Sequence, residues 1–316
     1  MVEKTSVESF DRMSKIAIII PYIGALPNYF PLWLQSCKNN PTIDWLLYTD
    51  QELYDLPENV ICKKVSFSQL RERFQKNFDF SISLNVPYKF CDFKPSFGEI
   101  FEDDLKGYDF WGYGDIDLIY GDIREFVTEE LLFQYDRIFT LGHLSLFRNC
   151  KDINAIYRKK VEGCLFYRDV FSTAKSLTFD EFGQNSAGGC VQIFQNSGVR
   201  IYNRIVFADI STTYRALKSH FGGPKAERNK EYRKRKVSFF YDSGKLFQTW
   251  QEKKTRLRKE VLYIHLQKRK MKNHCVKTDS FYIYPYDFCN EPKKHFFTMG
   301  LSMYFIKFAV SKLFRK

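Results

Sequence analysis

The chain has 316 residues, 44% of them apolar and 18% aromatic, which makes it globular and long enough for one large domain or two modest ones around a sizeable core. Eight cysteines, at 37, 62, 91, 150, 164, 190, 275 and 289, show neither a CxxC nor a zinc-finger spacing, so free thiols in a reducing compartment are the simplest reading. The net charge of +12 is lopsided, since residues 1–224 hold 25 Lys/Arg against 29 Asp/Glu while residues 225–316 hold 24 against 8, and that basic third could meet a phosphorylated substrate, nucleic acid or anionic lipid.

The N-terminal stretch MVEKTSVESFDRMSK lacks the apolar segment of a secretion signal. No uncharged apolar run reaches the roughly 20 residues that span a bilayer. A cytoplasmic protein is therefore expected. Lys15–Pro21 (KIAIIIP) reads as a first strand covered on both faces. A loop to Pro31, a helix over Leu32–Asn39 and a strand over Ile43–Asp50 complete a βαβ pattern, whose ligands bind beyond the carboxyl ends of the strands. That places Pro21, Tyr22 and Asp50 at a ligand edge. There is no GxGxxG after the first strand and no GxxxxGK[ST] anywhere, which argues against a Rossmann dinucleotide site and a P-loop.

Asn59–Val65 reads as a short strand and Ser68–Asn77 as a polar helix capped by Ser68. In KFCDFKPSFGEIF (residues 89–101), Pro95 suits the first turn of a helix running to about Leu105, leaving Lys89, Asp92 and Lys94 just upstream, near an electropositive N-terminus. A nucleotide diphosphate would find cations there, although a surface ion cluster is the plainer reading. Tyr108-Asp-Phe-Trp then leads as a strand into WGYGDIDLIYGD (residues 111–122). On an extended backbone Asp115 and Asp117 point the same way and Ile116 enters the core, an arrangement suited to Mg²⁺ or Mn²⁺. A tight turn whose Asp side chains cap backbone N–H groups is the structural alternative. Asp122 is better placed to cap the helix expected over Ile123–Phe133.

Strands are expected over Asp136–Leu141 and in Gly142–Asn149, the latter carrying His143 and Arg148 as polar points in an apolar run. Asp180 and Glu181 precede a glycine-containing loop, 183–189, and suit either catalysis or helix capping. Val199–Ala208 reads as a strand, residues 225–236 as a basic loop or flap, and Phe239–Phe247 as a hairpin turning at Asp242–Gly244. His265 ends a strand over Glu260–Leu266 and is followed by Lys268, Arg269 and Lys270; a satisfied structural histidine is the alternative to a metal and diphosphate site. Residues 296–316 would form a basic amphipathic helix, either lying on an anionic membrane or packed on the body.

KIAIIIPY, YKFCDFKP, GDID, GHLSLFRN, FDE and YIHLQKRK, in this order over residues 15–272, resemble the GT-A glycosyltransferases, and more narrowly polysaccharide-locus proteins similar to glycogenin-like and mannosyltransferase-like sugar transferases. The resemblance implies an α/β fold with a single, mostly parallel central sheet flanked by helices. It implies a catalytic domain over 15–290, with a nucleotide half to about 122 and an acceptor half beyond, between an extension (1–14) and a basic tail (291–316). By the same resemblance, Asp115, Asp117 and His265 would hold Mn²⁺ or Mg²⁺. Pro21, Tyr22, Asp50, Lys89, Asp92, Lys94, Asp115, Lys268 and Lys270 would hold a nucleotide sugar, UDP-sugar foremost. Asp180 and Glu181 would face the acceptor, an oligosaccharide or lipid-linked oligosaccharide of a surface or capsular polysaccharide. The tail would rest on the inner face of the membrane, and nucleic acid is not the expected partner. The rivals are a sugar-phosphate nucleotidyltransferase, for which a glycine-rich phosphate loop is missing, and a non-enzymatic basic binding module, which leaves the Asp115–Asp122 cluster without a purpose.

Overall fold

The structure, a computed structural model, describes residues 12–184, 186–212, 215–217, 236–267, 269–294 and 296–297. Lys268, most of the basic block 225–236, and the extension and tail apart from their inner ends lie outside the described residues. Within them, the strands in chain order are β1 (Ile16–Tyr22), β2 (Ile43–Thr49), β3 (Val60–Lys64), β4 (Phe110–Gly114), β5 (Leu118–Tyr120), β6 (Arg137–Leu141), β7 (Leu144–Arg148) and β8 (Ile201–Tyr202). They continue as β9 (Ala208–Asp209), β10 (Val237–Asp242), β11 (Lys245–Glu252), β12 (Thr255–Glu260), β13 (Tyr263–His265), β14 (Lys272–Asn273), β15 (Ser280–Tyr284) and β16 (Asp287–Cys289).

A single, mostly parallel sheet was expected; the strands instead form three mixed sheets. The largest has the order β3-β2-β1-β4-β7-β6-β8. It is parallel through β3, β2, β1 and β4, then turns antiparallel at β7. The tight Gly142–His143 turn makes β6 and β7 antiparallel to each other, so one of the two has to run against the parallel strands, and that one is β7. Six strands form a second sheet in the order β12-β11-β10-β15-β16-β14, and β5, β13 and β9 form a third.

The first sheet is covered on both faces, as the unbroken apolar run of β1 requires. Ala17 and Ile19 point into one core, where Phe90, Phe93, Phe97 and Phe101 surround the Phe74 ring. Ile16, Ile18 and Ile20 point into the other, with Trp33, Trp45 and Tyr263. A third core, built on Phe239, Tyr241, Leu246 and Phe281, fastens the six-stranded sheet to β5 and β13 through Ile119 and Ile264. Alternation of side chains along a strand is what lets one segment serve two cores.

Several helical expectations change in detail. Helix α1 covers Phe30–Lys38, and α2 covers Phe67–Gln75 with Ser66 rather than Ser68 as its cap. Ser66 wins because Gln69, three residues on, returns its side chain to the Ser66 N–H at 2.8 Å and closes a capping box; Ser68 has Arg71 at that place. The helix expected from Pro95 to about Leu105 is a chain of single turns from Pro87 to Leu105. Lys94 thus sits inside that chain of turns, not upstream of it. The helix over Ile123–Phe133 breaks into Ile123–Phe126, capped by Asp122, and Glu129–Gln134, capped by Thr128. Val199–Ala208 supplies two short strands in different sheets, β8 and β9, instead of one. At Ser243 and Gly244 φ is +47° and +95°, the two left-handed residues of the tight turn that joins β10 to β11.

Candidate functional site

At the carboxyl ends of β1 and β4 lies a cleft of about 620 Å³. Its walls come from segments far apart in the chain: Pro21 and Tyr22 at the end of β1, Tyr88 and Lys94 from the chain of turns, Asp115 and Asp117 after β4. The β6–β7 turn adds Gly142 and His143, the 178–181 segment Asp180 and Glu181, and β13 His265 with Gln267 after it.

Asp115-Ile116-Asp117 links β4 of the first sheet to β5 of the third. Ile116 is buried between the half-buried carboxylates. The Asp117 carbonyl accepts from the Leu266 N–H at 3.0 Å, and Asp115 N–H donates to the His143 carbonyl at 3.2 Å. Both carboxylates therefore project from a backbone tied to the β6–β7 turn and to the residue after β13. In the third sheet, His265 lies opposite Asp209 in parallel register. Its Nδ1 is 2.7 Å from Asp209 Oδ1 and its Nε2 3.4 Å from Asp117 Oδ1.

Asp115, Asp117 and His265 each offer a ligand atom within 4.8 Å of the others. Two carboxylate oxygens and one imidazole nitrogen are a donor set that Mn²⁺ or Mg²⁺ accepts. The hold of Asp209 on the far ring nitrogen is the outer-shell contact that orients a ligating histidine. The residues present fit such an ion. Burial works to lower the His265 pKa, but Asp117, Asp209 and Asp115 outweigh it and push it up to about 10. The carboxylates thus already gather positive charge at this point.

Lys94 brings a second cation. Its Nζ donates to Asp115 Oδ1 at 2.6 Å and to the Gly142 carbonyl at 2.7 Å. Burial alone would lower its pKa; the charges of Asp115 and Asp180 more than reverse that. Glu181 accepts from the Gly142 N–H at 2.7 Å, while Asp180 Oδ1 is buried without a hydrogen-bond partner. Burial raises the pKa of both carboxyls, and Lys94 opposes it. Gly142 is required here for space, since a Cβ would run into the Asp180 carboxylate.

The remaining sequence candidates lie elsewhere. Lys89 and Asp92 form a fully buried pair at 2.7 Å, behind the cleft wall. Lys89 also donates to the carbonyls of Val170 and Lys175, and Asp92 accepts from the N–H groups of Leu177 and Phe179. Together they fix the segment that ends in Asp180. Asp50 is exposed and accepts from Gly24 N–H at 3.0 Å, a hydrogen bond that lowers its pKa and restrains the loop after β1. Lys270 is exposed and is not in the cleft wall. Conversely, Asp209 and Gln267, whose side chains meet at 2.9 Å, were not singled out by the sequence, and neither was Gly142. His143 stood out only as a polar point in an apolar strand.

The sequence model of a family of unknown function, DUF6625, matches residues 18–292. The chain belongs to this family. No curated protein matches the sequence. Among solved structures, the galactosyltransferase LgtC in complex with donor and acceptor sugar analogues is similar at 12% identity and a TM-score of 0.37, over 79% of this chain and 86% of that one. An active-site mutant of LgtC is similar at 11% identity, with the same TM-score and coverage. In this DUF6625 member every segment that lines the cleft, from Ile20 to Gln267, falls inside the matched span.

Proposed function

We propose that this DUF6625 protein is a glycosyltransferase that moves a sugar from a nucleotide-sugar donor, UDP-sugar foremost, to an oligosaccharide or lipid-linked acceptor, with Mn²⁺ or Mg²⁺ held by Asp115, Asp117 and His265. One observation carries the reading: the cation-fitting trio and the Lys94 ammonium share one cleft at the carboxyl ends of parallel strands. A diphosphate leaving group needs its developing charge neutralised, and that is what the bound cation supplies.

The side chains around it divide the remaining work. Pro21 and Tyr22, at the end of β1, offer an apolar and aromatic edge for the nucleobase. Lys94 holds Asp115 in place and sets positive charge within reach of the donor phosphates. Asp180, buried, and Glu181, half-buried, both raised in pKa, suit an acceptor hydroxyl that both gives and takes a hydrogen bond. In this reading residues 15–122 chiefly hold the donor and 123–290 chiefly the acceptor. The basic tail, 291–316, would attach the enzyme to an anionic membrane surface where a lipid-linked acceptor for surface polysaccharide resides. Among the described residues, no helix is long and apolar enough to cross a membrane. A nucleotidyltransferase is less well supported, because the segment after β1 has Gly24 alone where a phosphate loop would need several glycines.

The test is a calorimetric screen of UDP-, GDP-, CMP- and dTDP-sugars with and without Mn²⁺. Binding of one nucleotide class that strengthens with Mn²⁺ is expected; no binding by any of them would redirect the assignment to a non-enzymatic module.

A further inference from the structure

We infer that His143, Asp209 and His265 form a second, inner cation site, suited to a borderline ion such as Zn²⁺, whose filling withdraws His265 from the Asp115–Asp117 set. The three residues each offer a ligand atom within 4.8 Å of the others. Two imidazoles and one carboxylate are a softer set than the cleft trio, and zinc favours it. Tetrahedral zinc holds its ligand atoms roughly 3.3 Å apart, so sub-ångström to ångström shifts of side chains bring these three into range.

An independent observation points to a ligand. His143 is 4% exposed, and its Nε2 is buried without a hydrogen-bond partner. Unsatisfied buried nitrogens are costly. Its other nitrogen, Nδ1, is 2.8 Å from the Tyr263 hydroxyl, which fixes the ring and leaves Nε2 as the atom with capacity to spare. The supporting contacts of a metal centre are present as well: Tyr263 orients His143, and Gln267 orients Asp209 at 2.9 Å. The two histidine rings lie 4.4 Å apart, centroid to centroid. Since His143, His265 and Gln267 all line the cleft, an ion has a route in and the cleft can supply a fourth ligand.

Exclusivity follows from the chemistry of one imidazole. His265 Nδ1 faces Asp209 at 2.7 Å and Nε2 faces Asp117 at 3.4 Å, and a neutral imidazole that ligates an inner ion through Nδ1 carries its single proton on Nε2. That nitrogen donates to Asp117 and no longer ligates. The cleft trio is reduced to two carboxylates, so zinc acts as an inhibitor of the cleft ion and not as its substitute. This second half rests on the cation role proposed above for Asp115, Asp117 and His265; the inner site itself does not.

The experiment uses the full chain, stripped of metal, with Co²⁺ as a spectroscopic stand-in for Zn²⁺. The visible absorption of low-coordinate Co²⁺ is expected in the wild type and in Asp117→Asn, with Co²⁺ affinity falling at least about tenfold in His143→Phe. Zn²⁺ competes Co²⁺ away, and in an electron-paramagnetic-resonance titration a given Zn²⁺ concentration weakens Mn²⁺ binding at least about tenfold more in the wild type than in His143→Phe, where only direct displacement from the cleft remains. If His143→Phe does not fold, as judged by circular dichroism, His143→Gln, which keeps a polar side chain beside the Tyr263 hydroxyl, carries the same expectation. Unchanged Co²⁺ binding in these variants, or its loss in Asp117→Asn, overturns the inner site, and Mn²⁺ binding indifferent to Zn²⁺ overturns the exclusivity. None of these readouts needs a nucleotide sugar, so failure of the glycosyltransferase assignment and failure of this inference show up separately.

Discussion

At Lys94 an ammonium that is nine-tenths buried makes contacts of 2.6 and 2.7 Å to Asp115 and the Gly142 carbonyl. Asp115 keeps 32% of its side chain exposed, so removing Lys94 costs less than breaking a fully buried pair. Lys94→Met is expected to lower stability by about 2–4 kcal/mol, measured by urea denaturation. Asp117→Asn is a different case, because the backbone carbonyl of Asp117, not its side chain, is bonded to Leu266. That variant is expected to fold with an unchanged circular dichroism spectrum and to lose at least about a hundredfold in Mn²⁺-dependent transfer from a nucleotide sugar. Full activity in Asp117→Asn would refute the cation assignment. The contrast also shows what was legible in the sequence. A carboxylate pair between glycines, a lysine near a proline and a histidine at a strand end each carry a local signal. Asp209 carries none, because its partners His265 and Gln267 are more than fifty residues away and reach it only through the β9–β13 register. Lys89 and Asp92 had the local signal of a ligand site, yet their partners are backbone groups around residues 170–179, which no local pattern encodes.

Helices and turns were legible where a side chain and its partner are close in sequence. The Asp242–Gly244 turn is such a case. The capping box at Ser66 and Gln69 also has a local Ser-x-x-Gln signal, yet the expected cap was Ser68, which the structure corrects to Ser66. Ser66→Ala is expected to cost about 1 kcal/mol, read as a lower thermal midpoint, while Ser68→Ala should change stability by a few tenths at most. Joining α2 to β3 and to the chain of turns is Asp104, which accepts hydrogen bonds from Lys63, Tyr48 and Arg73. Burial alone would raise its pKa, but those hydrogen bonds outweigh it and hold the carboxyl at about 2. A depressed folded-state pKa means that the stabilisation is present above the unfolded value near 3.8 and lost as pH falls through 2. Discounted for partial exposure, it amounts to about 1 kcal/mol. Denaturant midpoints measured between pH 4 and pH 2 are therefore expected to fall less steeply in Asp104→Asn than in the wild type, by that amount.

Over the whole molecule, the βαβ opening was readable because buried parallel strands are continuous apolar runs, and β1 is one. The division into three sheets was not, since it depends on β4 and β5 parting at Asp115-Ile116-Asp117 so that one stays in the large sheet while the other pairs with β13. No periodicity marks that parting; only the two carboxylates do. The consequence is that the cation-fitting trio joins the end of a strand of the first sheet to His265 on β13, 148 residues after Asp117. An ion bound there holds the native arrangement and has no comparable site in the unfolded chain. At a hundred times its dissociation constant it would add about 2.7 kcal/mol to the free energy of unfolding. With an unfolding entropy of roughly 2.1 cal/mol/K per residue, a chain of 316 residues would then melt roughly 4 °C higher. Scanning calorimetry is expected to show that rise with Mn²⁺ in the wild type and to show little of it in Asp117→Asn. An equal rise in both would place the ion outside the trio, and a rise in neither would leave the β4–β5 parting as a structural corner in which Lys94 and His265 merely balance two carboxylates.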